Sequence, residues 1–169
     1  MTFPVVARAA AAVAIAACTS GIVAQTGQPA RPDFSGEWRL VPDPQAPVAW
    51  VGSPLGKVGT IVQDATTLTI NRTDPAPEDR HSYDLTGGET RWTTSNASGS
   101  FTSVLRPRWI EHALIVSEET TRAGQAVSWA SMHGFSLNAE GELIVVSISP
   151  TLRQGPVMAT TMLTYRKAQ

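Results

Sequence analysis

Turn chemistry recurs along this chain at the spacing of short strands, and that recurrence limits the fold more than any other feature. From Lys57 onward, β-rich segments alternate with clusters of Gly, Pro, Asn and Asp. Strands punctuated at roughly eight to twelve residues indicate an all-β sandwich or barrel. Asp64-Ala65-Thr66 separates segments 58–63 and 67–72 as a tight hairpin. Thr86-Gly87-Gly88 separates 80–85 from 89–94, and paired glycines supply the positive φ of a hairpin turn. Asn96-Ala97-Ser98-Gly99 leads into 100–105, which Arg106-Pro107 is expected to break. Segments 113–118, 125–135, 142–149 and 157–167 complete the set, with turns at Arg122-Ala123-Gly124, Asn138-Ala139-Glu140-Gly141 and 150–155. No segment sustains a period of 3.6 with caps. Short connections favour antiparallel neighbours. A meander of about eight to ten strands loses its exposed edges by closing on itself. The expected fold is an all-β, antiparallel up-and-down barrel over residues 33–169.

The first strand of that barrel opens at Asp33-Phe34-Ser35-Gly36-Glu37-Trp38-Arg39-Leu40. Asp33 and Ser35 are turn formers. Gly36 has no Cβ and admits a ring or another backbone closely. Gly36, Trp38 and Leu40 share one face, and Glu37 and Arg39 point the other way, which makes a half-buried strand. Gly36-x-Trp38 here, with Arg166 near the end of the last strand, resembles the lipocalin-like, or calycin, superfamily. The longer Asp-Phe-Ser-Gly-x-Trp opening is similar to a group of secreted bacterial proteins with lipocalin-like domains. The resemblance implies that Trp38 closes one barrel end and that Arg166 packs over its ring in a cation–π contact. In that arrangement Met158, Thr160, Met162, Thr164 and Arg166 face the lumen. Avidins and fatty-acid-binding proteins share the Gly-x-Trp feature.

Residues 1–24 read as an export leader rather than fold. Arg8 is the sole charge before Arg31, Ala9 opens an apolar run, and small residues follow. The run is too short and interrupted to span a membrane. Cleavage after Ala24 would give a soluble periplasmic or extracellular protein. Alternatively, Ile15-Ala16-Ala17-Cys18 resembles a bacterial lipobox, with Cys18 lipidated as an outer-membrane anchor. Cys18 is the only cysteine, so the folded part carries no disulfide and its core must be stable unstapled. Residues 25–32 read as a flexible spacer. The formal net charge is -1, or -2 without Arg8, which leaves no electrostatic footprint for nucleic acid.

Between the first two strands, Pro42, Pro44, Pro47 and Pro54 exclude a helix interior or a central strand. The apolar stretch Ala46-Pro47-Val48-Ala49-Trp50-Val51 either packs on the outside of the barrel, the reading preferred here, or folds over its open end as a lid carrying Trp50.

Chemistry-bearing patterns are sparse. His81, His112 and His133 are far apart in sequence without metal-ligand spacing. A nucleophile elbow, phosphate loop or dinucleotide fingerprint is absent, so no cofactor is expected. Glu118-Glu119 reads as a solvated pair at a turn. In 125–135, Val127, Trp129, Ser131, His133 and Phe135 share a face that mixes apolar and polar groups, as a small-ligand pocket does. The candidate ligand-binding set is therefore Trp129, Ser131, His133, Met158, Thr160 and Met162. Two functional readings follow: an exported binding module for a small apolar or amphipathic ligand, and a cell-envelope structural or protein-interaction barrel with a filled interior. An enzyme ranks third, because no catalytic constellation is visible.

Overall fold

Ten antiparallel strands form one sheet in the computed structural model, which describes residues 30–45, 52–74, 80–96, 99–125, 128–151 and 157–168. In chain order these are β1 (Gly36–Leu40), β2 (Val58–Gln63), β3 (Thr67–Asp74), β4 (Arg80–Asp84), β5 (Thr90–Asn96), β6 (Gly99–Ile110), β7 (Ala113–Arg122), β8 (Ser128–Leu137), β9 (Leu143–Thr151) and β10 (Val157–Lys167). The spatial order is β4-β3-β2-β1-β10-β9-β8-β7-β6-β5. The sheet curls until β4 packs beside β5 and β6, so the barrel is nearly closed. This up-and-down architecture is the one expected from the turn pattern, and it is compatible with a lipocalin-like fold. Among the described residues, no helix is long and apolar enough to cross a membrane.

Local chemistry explains the turns. The Asp64 carboxylate accepts from the Thr66 and Thr67 amides at 2.7 and 2.8 Å and closes the β2–β3 hairpin. Asn138 Oδ1 caps the β8–β9 turn by accepting from the Glu140 and Glu142 amides. Two expectations need correction. Strand β6 is not broken at Arg106-Pro107 but continues with Pro107 opposite Val116. Strand β5 ends opposite Leu105, so Pro107 lies where β6 has one ladder neighbour and its missing N–H removes no bond on the open side. Thr86-Gly87-Gly88 does connect β4 to β5, but those strands sit at the two ends of the sheet order and form its seam rather than a laddered hairpin.

The period of two along each strand sends one set of side chains inward. One end of the barrel is packed solid. Phe34 stacks on Trp109 at 5.9 Å between ring centroids and meets Phe135 at 6.5 Å, and the Arg31 guanidinium lies 5.4 Å over Trp109. Trp38, Ile61, Leu68, Tyr83, Leu114 and Val145 fill the layer against them.

The closure contact at that end forms with a different cation from the one expected. Trp38 is buried, donates its indole N–H to the Phe34 carbonyl at 2.8 Å, and lies opposite Lys167, whose Nζ is 5.7 Å from the ring centroid. Arg166 lies opposite Arg39, so the pleat turns it outward, where it is 70 % exposed and donates to Glu142 at 2.7 Å. The cation of the closure is therefore one residue further along the strand. Gly36 makes that possible. Its φ is +141°, and a Cβ there would collide with Lys167 Cε, which crosses the glycine on its way to the indole.

The apolar stretch 46–51 of the β1–β2 connection lies outside the described residues. Further along that connection Ser53 and Leu55 are buried, and Leu55 belongs to the core. Tyr165 anchors it, donating to the Gly56 carbonyl at 2.7 Å while its oxygen meets Ser53 Oγ at 2.8 Å. Burial pushes the Tyr165 hydroxyl up to about 12, against the smaller opposing effect of the Ser53 bond. Tyr165→Phe strands two buried polar groups and is expected to cost about 1–3 kcal/mol. Denaturant unfolding checks this, and an unchanged midpoint would count against it.

Candidate functional site

At the other end the inward face changes character. On β7 the inward series runs Leu114, Val116, Glu118, Thr120; on β8 it runs Phe135, His133, Ser131, Trp129; on β9 it runs Leu143, Val145, Ser147, Ser149. Each begins apolar at the packed end and becomes polar toward the opposite rim. Register sets Glu118 against Ser131 and Thr120 against Trp129, with His133 opposite Ser147 on the other side. These groups bound a cavity of about 240 Å³ lined by Glu118, Thr120, Trp129, Ser131, His133 and Ser149. Gly52 and Pro150 complete its wall, so the β1–β2 connection reaches the cavity.

Glu118 is the electrostatic centre, with its side chain 15 % exposed. Ser131 Oγ donates to Oε2 and Thr120 Oγ1 to Oε1, both at 3.2 Å, and Ser103 holds the Thr120 hydroxyl at 2.8 Å. His133 Nε2 lies 3.7 Å from Oε2, an ion-pair distance rather than a hydrogen bond, while Nδ1 meets Ser147 Oγ at 3.0 Å. Burial alone would raise the Glu118 carboxyl. The donors and positive charge around it, His133 first and then Ser103 and His81, outweigh that and hold it at about 2. Burial, and secondarily the Glu118 charge, push the Tyr83 phenol upward.

Aromatic groups surround the polar set. Trp129 is 37 % exposed and packs its edge on Phe101 at 5.8 Å, with the Arg122 guanidinium 5.9 Å over Phe101. His81 packs edge-on against Trp92 at 5.6 Å.

The structure brings Trp129, Ser131 and His133 together on the cavity wall, on the face that alternation assigned to them. It does not bring Met158, Thr160 and Met162 there. Those three lie on the outer face of β10, where Met158 is 49 % and Met162 72 % exposed. Their assignment to the lumen depended on Arg166 meeting Trp38. With Lys167 in that place the whole alternation inverts, and Ala159, Thr161, Leu163 and Tyr165 face inward. Trp50 and Cys18 lie outside the described residues. The reading of Glu118 as a solvated turn residue is overturned, because β7 continues to Arg122 and Glu118 sits two residues inward of Thr120. Its signal was the alternation Leu114, Val116, Glu118, Thr120, hidden by ending the strand at Glu118. His112 is exposed in the β6–β7 turn, away from the cavity.

Among the described residues, no group of three His, Cys, Asp or Glu side chains could hold a metal ion. Ser147, His133 and Glu118 superficially resemble a nucleophile, base and orienting acid. However, Ser147 is buried and does not line the cavity, so a substrate in the cavity would not meet its hydroxyl. Its bond to Nδ1 instead fixes the imidazole so that Nε2 faces Glu118. What the arrangement can do is hold a small polar group against a buried carboxylate, with an indole beside it.

No protein-family model and no curated protein matches this sequence.

Proposed function

We propose that this protein is an exported binding module that takes a small amphipathic ligand into the polar end of its barrel. The ligand's polar head would sit among Glu118, Ser131 and His133, and its apolar body against Trp129. The observation that carries this reading is the contrast between the two ends. One end is packed solid with aromatic rings, while the other leaves a cavity of about 240 Å³ walled by a few convergent polar groups and an aromatic side chain. A barrel of this size can either fill or hold one ligand, and here the upper half supports the second outcome. The leader-like residues 1–24 support export.

The second reading, an envelope barrel that binds another macromolecule, draws on the outer face. Met132, Gly134, Val146 and Ile148 line a groove of about 320 Å³ there, and Met162 stands beside Val146 across the β9–β10 ladder. The filled interior that this reading requires is not what the β7–β8–β9 end supports.

Native mass spectrometry of protein taken from its own source tests the first reading. A co-purified small molecule, lost when Trp129 is replaced by Ala, is the expected result. A bare protein whose tryptophan emission does not respond to any small amphipathic compound would count against it.

A further inference from the structure

We infer that the ligand of this cavity is a small organic cation, an ammonium carried on an aromatic or other apolar body, with Glu118 as its counter-ion. This rests on the reading of the cavity as a ligand site and goes further by fixing the sign of the ligand's charge.

The first ground is the charge of the wall. Glu118 is the sole carboxylate among the described residues lining the cavity, and no Lys or Arg lines it. Beyond the wall, His81 acts on Glu118 electrostatically, and the Arg122 guanidinium lies over Phe101. With His133 neutral the wall carries one negative charge, and with His133 protonated it carries none. In neither state does it offer a net positive charge to an anion.

The second ground is unfilled acceptor capacity. An ionised carboxylate accepts at about four lone-pair positions. Two hydroxyls make close hydrogen bonds to Glu118, those of Ser131 and Thr120, one on each oxygen, while Ser103 and His133 support the carboxylate from longer range. His133 Nε2 stands too far to make a third. A carboxylate with only 15 % of its side chain exposed gains strongly from a further charged donor, because charge-assisted bonds are the strongest available to it. A ligand N–H in the cavity can supply that donor without displacing either hydroxyl. The depressed pKa of Glu118 agrees with this, since the group stays ionised across the neutral range.

The third ground is the indole at the rim. Trp129 is partly exposed although large and apolar, and it lines the same cavity as Glu118. Its ring face suits either a cation or an aromatic body. Ser149 lies on the same wall and can accept a second N–H of an ammonium. A carboxylate at depth, hydroxyls around it and an indole above together make an ammonium site with an apolar neighbour.

The test uses three probes of one shape on the full-length protein at neutral pH: 2-phenylethylamine, 2-phenylethanol and phenylacetate. Binding is read by calorimetry and by the change in tryptophan emission that Trp129→Phe abolishes. The amine is expected to bind about tenfold or more tightly than the alcohol, the size of one charge-assisted bond, and phenylacetate least of all. Glu118→Gln is expected to bring the amine's advantage over the alcohol to within about twofold. Should that variant fold poorly, the comparison of probes on the unmodified protein decides alone. Equal binding of amine and alcohol, or preference for phenylacetate, overturns the cation inference and leaves the ligand-cavity reading standing. No response to any of the three overturns both.

Discussion

Replacing Trp38 by Ala is expected to lower the unfolding free energy by about 3–5 kcal/mol, while Arg166→Ala shifts it by no more than about 0.5 kcal/mol. The asymmetry follows from register. Trp38 is one of the largest fully buried side chains, bonded to Phe34 and covered by Lys167. Arg166 is an exposed partner of Glu142, and exposed ion pairs contribute little. Lys167 should fall between the two, at about 0.5–2 kcal/mol, because its cation–π contact lies at a partly wet barrel end. Denaturant unfolding of the three variants separates the alternatives. If Arg166→Ala destabilised more than Lys167→Ala, the β1–β10 register given above would be wrong. A double-mutant cycle between Trp38 and Lys167 should show coupling, and one between Trp38 and Arg166 should not.

The second large effect is a pH dependence centred on Glu118. Its folded-state carboxyl sits at about 2 against an ordinary 4.5, despite burial, because His133, Ser103 and His81 favour the ionised form. A depressed carboxyl contributes stability that is fully present above the unfolded value and is lost as pH falls through the folded one. The window is therefore pH 4.5 down to 2, and the contribution is about 3 kcal/mol. Glu118→Gln keeps the shape and removes the charge. Its stability should trail the parent protein by about that amount at neutral pH, with the gap closing as pH falls toward 2. A gap that stayed constant over the window would mean that the ionised carboxylate is not what the surrounding groups stabilise.

Much of the fold was legible because antiparallel meanders announce themselves through turns. Asp64-Ala65-Thr66, Arg122-Ala123-Gly124 and Asn138-Ala139-Glu140-Gly141 each form where side-chain capping or glycine made a turn cheap. Half the candidate site was legible for a similar reason. Trp129, Ser131 and His133 lie two residues apart in one strand, so a single choice of face placed all three. That same economy produced the main failure. Met158, Thr160 and Met162 were assigned through one anchor, Arg166, and a neighbouring cation, Lys167, competes for the same indole. Two basic residues in succession carry no local signal of which one faces inward, and an error of one residue reverses an entire strand. Glu118 was lost to a boundary error, since a Glu-Glu pair looks like the end of a strand until the register of β8 shows that one of the two is buried. Leu55 could not have been placed from its proline-rich surroundings, because its burial depends on Tyr165, far away in sequence.

The spatial order of the strands bears on how the chain reaches its native state. Eight of the nine ladders join strands that follow one another in sequence, and the ninth joins β1 to β10. The chain thus consists of two local meanders, β1–β4 and β5–β10, that zip up hairpin by hairpin at low entropic cost. One search across the length of the sequence then unites them. That search ends where Lys167 crosses Gly36 to reach Trp38, so the longest loop closure in the described sheet is the one that the missing Cβ of Gly36 makes room for.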